Sequence, residues 1–201
     1  MRTDYIKPSV YKKIYSIMQY ENALALRTSL ETGMRIGDVL DLEKNQLQGR
    51  RISFTAQKTG KSAKKVISVD LSKRLRQVSG SRFIFEGRYG DKPRRRQTVW
   101  KDVKKACKEL HITENVGCHS ARKTYAVEEL HEHGLPTVQK ELQHDRLSTT
   151  MLYAFSDLLT ADVKNCDIGT DFEKLGNYII EGVCARILPK IEEIGQNLTK
   201  K

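Results

Sequence analysis

The chain has 201 residues, and no stretch approaches the roughly 18 consecutive apolar residues that a membrane-spanning helix needs. Thirty-six Lys and Arg against 25 Asp and Glu give a net charge of +11, which favours a polyanionic partner, with a merely solvated surface as the alternative. The N-terminus lacks the apolar run of a secretory signal, and the four cysteines contain no CxxC pair, so we expect a cytoplasmic protein without a disulfide framework or a zinc site.

Hydrophobic spacing predicts a mainly helical chain with one small sheet. The predicted elements are, in chain order, two helices within residues 8–31, a short helix after Gly33, strands at 51–55 and 65–69, a short strand at 83–85, and helices at 97–110, 119–133, 137–143 and 147–156. Because the helices flank the strands instead of alternating with them, we expect an α+β fold that is mostly helical, with helices around a small antiparallel β-sheet or hairpin.

The C-terminal residues carry a separate apolar pattern at helical spacing, from Phe172 to Leu198. It predicts a C-terminal amphipathic helix, which either covers its own domain or docks on a neighbouring subunit. We therefore divide the chain into a domain at residues 1–160 and a helical tail at residues 161–201.

The basic residues cluster along the chain and most of the acidic ones lie elsewhere, so one face of the protein is expected to be basic. On charge alone, nucleic acid is the leading partner. The predicted hairpin contributes Lys61 and Lys64 to this face, and the KPRRR run contributes Arg94, Arg95 and Arg96. These side chains are expected to contact phosphate, although the KPRRR run also fits a solvated loop.

Cutting a DNA strand without a metal requires three kinds of side chain. Guanidinium groups suit the non-bridging oxygens of the phosphate in its five-coordinate transition state, because they donate paired hydrogen bonds and stay charged. A Tyr phenol surrounded by cations can act as a covalent nucleophile. A mobile Lys can protonate the departing 5′ oxygen.

The chain contains candidates for each of these groups. They are, in chain order, Arg35 after a glycine turn, Asp38 one helical turn on, Lys58 at the tip of the predicted hairpin, His119 and Arg122 on one helical face, and His144 nine residues before Tyr153. Taken singly, each is more often an ordinary surface or core residue than a catalytic one. Their order and spacing together are what indicate a function.

These candidates lie in five segments that resemble the C-terminal catalytic domain of the tyrosine recombinases, the phage integrase family. TGMRIGDVLDL resembles the segment with the first catalytic arginine, and AQKTGKSAKKVISV resembles the hairpin with the catalytic lysine. HSAR resembles the HxxR box, LQHD the LGH box, and STTMLY the segment that ends in the nucleophile. The resemblance covers about residues 8–160 and implies the tyrosine recombinase catalytic-domain fold.

The resemblance also implies an activity, that of a site-specific recombinase or integrase that cleaves and rejoins duplex DNA. It implies double-stranded DNA as the partner, a homotetramer on two synapsed sites, and no metal or other cofactor. A bacterial or phage-encoded protein of a mobile element is the corresponding source. The roles that it implies by matched position are phosphate binding by Arg35 and Arg122 with Asp38 bracing Arg35, protonation of the leaving 5′ oxygen by Lys58 with Lys61 as its main rival, support of the phosphate and handling of the tyrosine proton by His119 and His144, and nucleophilic attack by Tyr153 to give a 3′-phosphotyrosine.

This chain departs from the family pattern in three ways. Gln143 stands where the family usually has Gly, and Asp38 stands where Glu is more frequent. Only some 30 residues precede Arg35, too few for the family's N-terminal core-binding domain, so that domain is expected to be absent. The chain is then either a minimal recombinase or a catalytic fragment.

Two other functions are compatible with the same residues. A type IB-like topoisomerase uses similar chemistry without strand exchange and with little sequence preference. A DNA-binding regulator on the same scaffold would no longer cut, and the intact set of candidates argues against it.

Overall fold

The computed structural model describes residues 3–144 and 147–154, so the predicted amphipathic tail, from Phe172 to Leu198, lies outside the described residues. The helices are α1 Pro8–Ile17, α2 Tyr20–Thr32, α3 Ile36–Leu40, α4 Val69–Val78, α5 Arg96–Glu109, α6 Cys118–His133, α7 Leu135–Glu141 and α8 Leu147–Ala154. The strands are β1 Leu47–Gln48, β2 Arg51–Thr55, β3 Ser62–Val66, β4 Glu86–Gly87 and β5 Gly90–Pro93.

The described residues form an α+β fold that is mostly helical, which confirms the predicted class. Strands β1, β2 and β3 make one antiparallel sheet in that order, and β4 pairs with β5 in a second, two-stranded one. Helix α2 is central and packs against α1, α3, α4, α5 and α6. Its residues from Asn22 to Leu26 are all buried, as expected of a helix that is covered on every side.

The second hairpin strand begins three residues earlier than the predicted 65–69. Ile52 pairs with Lys65 and Thr55 with Ser62, so the turn comprises residues 56–61. The strand cannot continue to residue 69, because the Ser68 side chain accepts a hydrogen bond from the Leu71 N–H at 3.2 Å and caps α4. Helix α4 is missing from the predicted elements, since the alternating pattern at 65–69 conceals its start.

The predicted strand at 83–85 is wrong. Phe83, Ile84 and Phe85 are buried, but within the described residues they contribute only an isolated bridge from Phe83 to Glu43. Strands β4 and β5 follow them along the chain. The apolar character of this run therefore comes from burial in the core and not from membership of a sheet.

Two hydrophobic clusters hold the described residues together. The larger one involves α1 to α6 and the three-stranded sheet. The smaller one comprises Ala126, Val138 and Leu142, with Tyr153 packed against it. This smaller cluster fixes α8 against α6 and α7 and so determines where Tyr153 lies.

The longest described helix, α6, has 16 residues. In the part of the chain that the structure describes, no helix is both long enough and apolar enough to span a bilayer.

Candidate active site

Arg122 lies at the centre of the candidate site, on α6, with 4% of its surface exposed. Its guanidinium donates a hydrogen bond to the backbone carbonyl of Gly33 and another, 2.6 Å long, to that of Leu142. A third contact of 3.2 Å joins Nη2 to Nε2 of His144. One side chain thus ties the segment before Arg35 to the segment before His144.

The carbonyl of Gly33 reaches Arg122 because α2 ends there in a left-handed residue. Gly33 has a φ of +67°, and its N–H bonds to the carbonyl of Ser29. A Cβ at this position would lie 2.4 Å from Cδ1 of Tyr125 on α6, so the backbone passes closely over that ring. Both the turn and the packing of α2 on α6 require glycine here.

Arg35 and Asp38 lie at the start of α3. Nη1 of Arg35 is 4.0 Å from Oδ2 of Asp38, which makes a loose ion pair. The buried Asp38 also accepts a hydrogen bond of 3.1 Å from the backbone N–H of Gln57 in the hairpin turn. Asp38 therefore links the arginine segment to the hairpin, a second role that the sequence motifs do not indicate.

The centre of the site carries excess positive charge. Burial and the charge of nearby Arg35 lower the pKa of Arg122 to about 10. The hydrogen bonds described above for Arg122 all go to neutral acceptors, two carbonyls and an imidazole. An anion with several oxygens placed between the two guanidinium groups would relieve this repulsion and satisfy their remaining donors.

His144 is oriented by a partner on each ring nitrogen. Because a guanidinium can only donate, Nε2 accepts from Arg122, and we assign the proton of the neutral imidazole to Nδ1. Nδ1 lies 3.2 Å from Oγ1 of Thr150, a fully buried hydroxyl on α8. The motifs do not identify Thr150, although it belongs to the hydroxyl run before Tyr153 that could have indicated it.

Tyr153 is half-buried on α8, one turn after Thr150. Its ring meets the ring of His144 edge-on, with centroids 5.1 Å apart and planes at 68°. Cζ of Arg122 lies 6.0 Å from the centroid of the Tyr153 ring. The structure therefore brings Arg122, His144 and Tyr153 together, and the same tyrosine also packs against the small cluster of α6 and α7.

His119 lies in the first turn of α6, three residues before Arg122. Burial, followed by the charges of Arg96, Arg122 and Arg35, lowers the pKa of His119 from its ordinary 6.5. The imidazole is therefore mostly uncharged at neutral pH, which is the state that can accept a proton.

This shift predicts a pH dependence of stability. In the unfolded chain His119 protonates near pH 6.5, and in the folded protein it protonates only at lower pH. The unfolded state thus binds more protons as the pH falls below 6.5, and stability decreases until the pH passes the folded pKa. Urea unfolding at pH 7.5 and 5.5 should show a smaller loss for His119→Gln than for the wild type. His131→Gln, the same change at an exposed position, should keep the wild-type loss, and an unchanged loss in His119→Gln would contradict the prediction.

Lys58 is exposed in the turn 56–61, between β2 and β3, and Lys61 and Lys64 are exposed nearby. The turn is closed by a hydrogen bond of 3.0 Å from the Ala56 N–H to the Lys61 carbonyl. No described contact joins Lys58 to Arg122 or Tyr153. Lys58 is connected to the rest of the site through its neighbours in the turn, since Gln57 bonds to Asp38 and Thr59 bonds to Gln143.

The described part of the chain offers no cluster of three or more His, Cys, Asp or Glu side chains that could hold a metal ion. Cys107 and Cys118 are buried, and burial raises the pKa of the Cys118 thiol to about 11. A thiol with so high a pKa is neither a ready metal ligand nor a nucleophile at neutral pH.

A family model described as the phage integrase family matches residues 4–158, which is most of the chain. The chain belongs to the phage integrase family. Among curated protein sequences, none matches this one significantly.

Solved structures show the same fold as this phage integrase family member at low sequence identity. XerH site-specific recombinase bound to a palindromic difH substrate aligns with a TM-score of 0.63 and 18% identity, over 74% of this chain and 48% of its own. A lambda integrase dimer bound to a COC′ core site gives 0.67 and 18%, over 78% and 49%. The catalytic domain of bacteriophage HP1 integrase gives 0.60 and 21%, over 84% and 98%. The chain spans about half the length of the XerH and lambda integrase chains.

Gln143 is the main departure from the phage integrase family pattern, since it precedes His144 where the family usually has Gly. Its φ is +53°, in the left-handed region that favours glycine. With this backbone conformation, the imidazole of His144 still contacts Arg122 and Thr150. The substitution of Gln for Gly is therefore compatible with the pose of the imidazole.

The three arginines of the KPRRR run differ in exposure. Arg95 and Arg96 are exposed at the start of α5. Arg94 is largely covered: its Nη1 donates to Oδ1 of Asn22 at 3.1 Å, and its Nη2 lies 3.9 Å from Oε2 of Glu21. The exposed pair is therefore better placed than Arg94 to contact a polyanion.

Arg95→Ala is expected to weaken binding to any duplex and to reduce the slope of log affinity against log salt by about one, because one phosphate contact is lost. Arg94→Ala should instead lower stability and leave that slope nearly unchanged, since its guanidinium is engaged within the fold. Binding titrations at several salt concentrations measure both slopes. Equal slopes for Arg95→Ala and the wild type would show that Arg95 makes no contact with phosphate.

Proposed function

We propose that the protein is a site-specific DNA recombinase that cleaves and rejoins duplex DNA through a covalent 3′-phosphotyrosine on Tyr153. The observation that carries this proposal is the packing of the Tyr153 ring against the imidazole of His144 and near the buried guanidinium of Arg122. A tyrosine beside a buried guanidinium is suited to attack a phosphodiester that the guanidinium binds.

The charge of the site supports a phosphodiester as the bound group. Arg35 lies close enough for its charge to contribute to the lowered pKa of Arg122, and a phosphate bound between the two guanidinium groups would offset that repulsion. The transition state carries more negative charge than the bound substrate. The two guanidinium groups therefore stabilise it more strongly than they stabilise the substrate, which is the requirement for catalysis.

The cleavage step then runs as follows. The Tyr153 oxygen bonds to phosphorus, the bond from phosphorus to the 5′ oxygen breaks, and the ammonium of Lys58 supplies the proton that the leaving oxygen takes up. The phenolic proton passes to one of the two imidazoles, and His119 is mostly uncharged at neutral pH and able to receive it. A 5′-hydroxyl of either strand reverses the step, so the phosphodiester energy is conserved and no cofactor is consumed.

Exchange between two DNA sites would require several copies of the chain, and we propose a tetramer on two synapsed duplexes. The lambda integrase structure that shares this fold is a dimer on one core site. Two such dimers bring together four nucleophiles, one for each strand that must be cut.

The test uses the full chain and duplexes tiled across the ends of the genetic element that encodes it. Each duplex carries a nick just beyond the candidate cleavage position, so that the short fragment diffuses away after cleavage and the covalent complex is trapped. We expect a band that survives SDS with the wild type and none with Tyr153→Phe. The released strand should carry a 5′-hydroxyl, which polynucleotide kinase labels without prior dephosphorylation.

Tyr89→Phe is the matched control, because it makes the same change at a tyrosine that is 85% exposed. It should form the complex at the wild-type level. A covalent band that persists in Tyr153→Phe would refute the nucleophile. Relaxation of a supercoiled plasmid without the site, as fast as one with it, would favour the topoisomerase over the recombinase.

A further inference from the structure

The turn that carries Lys58 is anchored on both sides by residues from other segments of the site. On one side, Oδ1 of the buried Asp38 accepts a hydrogen bond from the Gln57 N–H at 3.1 Å. On the other side, Oγ1 of Thr59 donates to Oε1 of Gln143 at 3.3 Å. Lys58 is the residue between these two anchors.

Gln143 makes a further contact with the same turn. Its Nε2 lies 3.5 Å from the backbone carbonyl of Lys61, at the end of the turn. The amide therefore faces both a side-chain donor and a backbone acceptor of the hairpin. A glycine at position 143, which the family usually has, would reach neither of them.

The backbone at Gln143 has the left-handed conformation that a side chain makes unfavourable. Strain at a non-glycine residue persists only where surrounding contacts hold it, and such residues are concentrated at functional sites. Gln143 immediately precedes His144, whose imidazole contacts Arg122. The strained residue thus connects the imidazole of the site to the hairpin that carries the lysine.

We infer that Gln143 is a positioning residue, which holds the hairpin turn through Thr59 so that Lys58 reaches the leaving 5′ oxygen. This inference rests on the proposed function, in which Lys58 supplies the proton for that oxygen. A glycine at position 143 has no side chain and could not position the turn in this way. Asp38 provides the second anchor, through its hydrogen bond with Gln57, the residue before Lys58.

A substrate whose leaving group departs without a proton from Lys58 tests the role of Gln143. In DNA with sulfur in place of the bridging 5′ oxygen, the leaving group is a thiolate, which departs without protonation because a thiol is far more acidic than an alcohol. A variant with a badly positioned Lys58 is then slow on the oxygen substrate and normal on the sulfur substrate. A variant with damaged phosphate binding is slow on both.

Gln143→Gly is the principal variant, because glycine relieves the backbone strain while it removes the contact with Thr59. We expect its single-turnover cleavage rate on oxygen DNA to fall about tenfold, the order expected when a hydrogen bond of this kind is lost. On sulfur DNA its rate should stay within about twofold of the wild type, and its unfolding midpoint should change little, because the relieved strain offsets the lost hydrogen bonds. A purely structural role for Gln143 cannot produce a defect that is confined to one leaving group in a protein of nearly unchanged stability.

Thr59 gives an independent variant of the same contact. Thr59→Val removes the hydroxyl with little change of shape and should reproduce the slow, sulfur-rescued cleavage of Gln143→Gly. Thr59→Ser keeps the hydroxyl and should behave as the wild type. The double variant Thr59→Val with Gln143→Gly should be no slower than Gln143→Gly alone, because Gln143→Gly already removes the contact that Thr59→Val breaks.

The outcomes separate this inference from the proposed function. If the wild type forms no covalent complex with either substrate, the proposed function fails. If the wild type cleaves both substrates but Gln143→Gly is unchanged on oxygen DNA, or is slowed equally on both, the inference alone is overturned. Additive defects in the double variant would overturn it as well.

Discussion

Arg122→Lys is expected to lower the free energy of unfolding by about 2–4 kcal/mol and the rate of covalent complex formation by about 10²–10³-fold. The guanidinium of Arg122 donates to two buried carbonyls, those of Gly33 and Leu142, and also contacts His144. A lysine ammonium is a single point of charge that cannot span these acceptors and a phosphate at once. At least one buried carbonyl is left without its donor, and the two segments of the site lose their common anchor.

Urea unfolding and single-turnover cleavage of the nicked duplex measure the two effects. The matched control is Arg82→Lys, which makes the same change at an exposed arginine paired with Glu43. Exposed pairs contribute little, so its stability should stay within about 0.5 kcal/mol of the wild type. Wild-type stability and rate in Arg122→Lys would show that Arg122 is not the centre of the site.

Gly33→Ala is expected to lower the free energy of unfolding by about 3 kcal/mol or more. Two causes add at this position. The residue has a φ of +67°, which a side chain disfavours, and the new Cβ would lie 2.4 Å from Cδ1 and 2.5 Å from Cε1 of the Tyr125 ring. Relief of the clash would move α2 away from α6, and the carbonyl that Arg122 binds would move with it. Cleavage should therefore be lost even under conditions where the variant is folded.

Gly37→Ala provides the control for Gly33→Ala within the same motif. Gly37 lies in α3, and a Cβ there would meet nothing within 4 Å. Because alanine is favoured over glycine in a helix, this variant should be as stable as the wild type or slightly more so. Equal effects of the two substitutions would contradict the account of Gly33 as a residue required by φ and by close packing.

Much of the helical framework can be predicted from local pattern. The helices within residues 8–31, and those that begin near residues 97 and 119, follow from apolar residues at helical spacing, because these residues are buried in one core. Strand β2 agrees with the predicted 51–55, since its side chains alternate between buried and exposed. Local periodicity determines these elements, and for them no distant contact is needed.

The elements that were predicted wrongly are those where a distant contact overrides the local pattern. Residues 83–85 look like a strand because they are apolar, yet they serve as a buried connection beside Glu43. The alternation after Ser62 continues in the sequence to residue 69, but the Ser68 cap starts α4 at Val69. Caps and core burial depend on which segments meet, and a window of a few residues does not contain that information.

For the site, the motifs name residues without their contacts. They select Arg122, His144 and Tyr153, and the structure then shows these three side chains together. They do not select Thr150, which bonds to His144. Motifs consist of residue types at fixed separations, whereas these contacts depend on how α8 packs against α6 and α7.

The sequence by itself determined the charge of the protein, its mostly helical class, its family and the order of its candidate catalytic residues. These properties follow from composition, local periodicity and short motifs, each of which is complete within a few neighbouring residues. Only the tertiary structure decided that the Gly33 carbonyl meets Arg122, that Asp38 and Gln143 contact the residues before and after Lys58, and that Arg94 is engaged while Arg95 is exposed. Those contacts join residues from 19 to 89 positions apart in the chain, and packing of the whole core is what brings such residues within hydrogen-bonding distance.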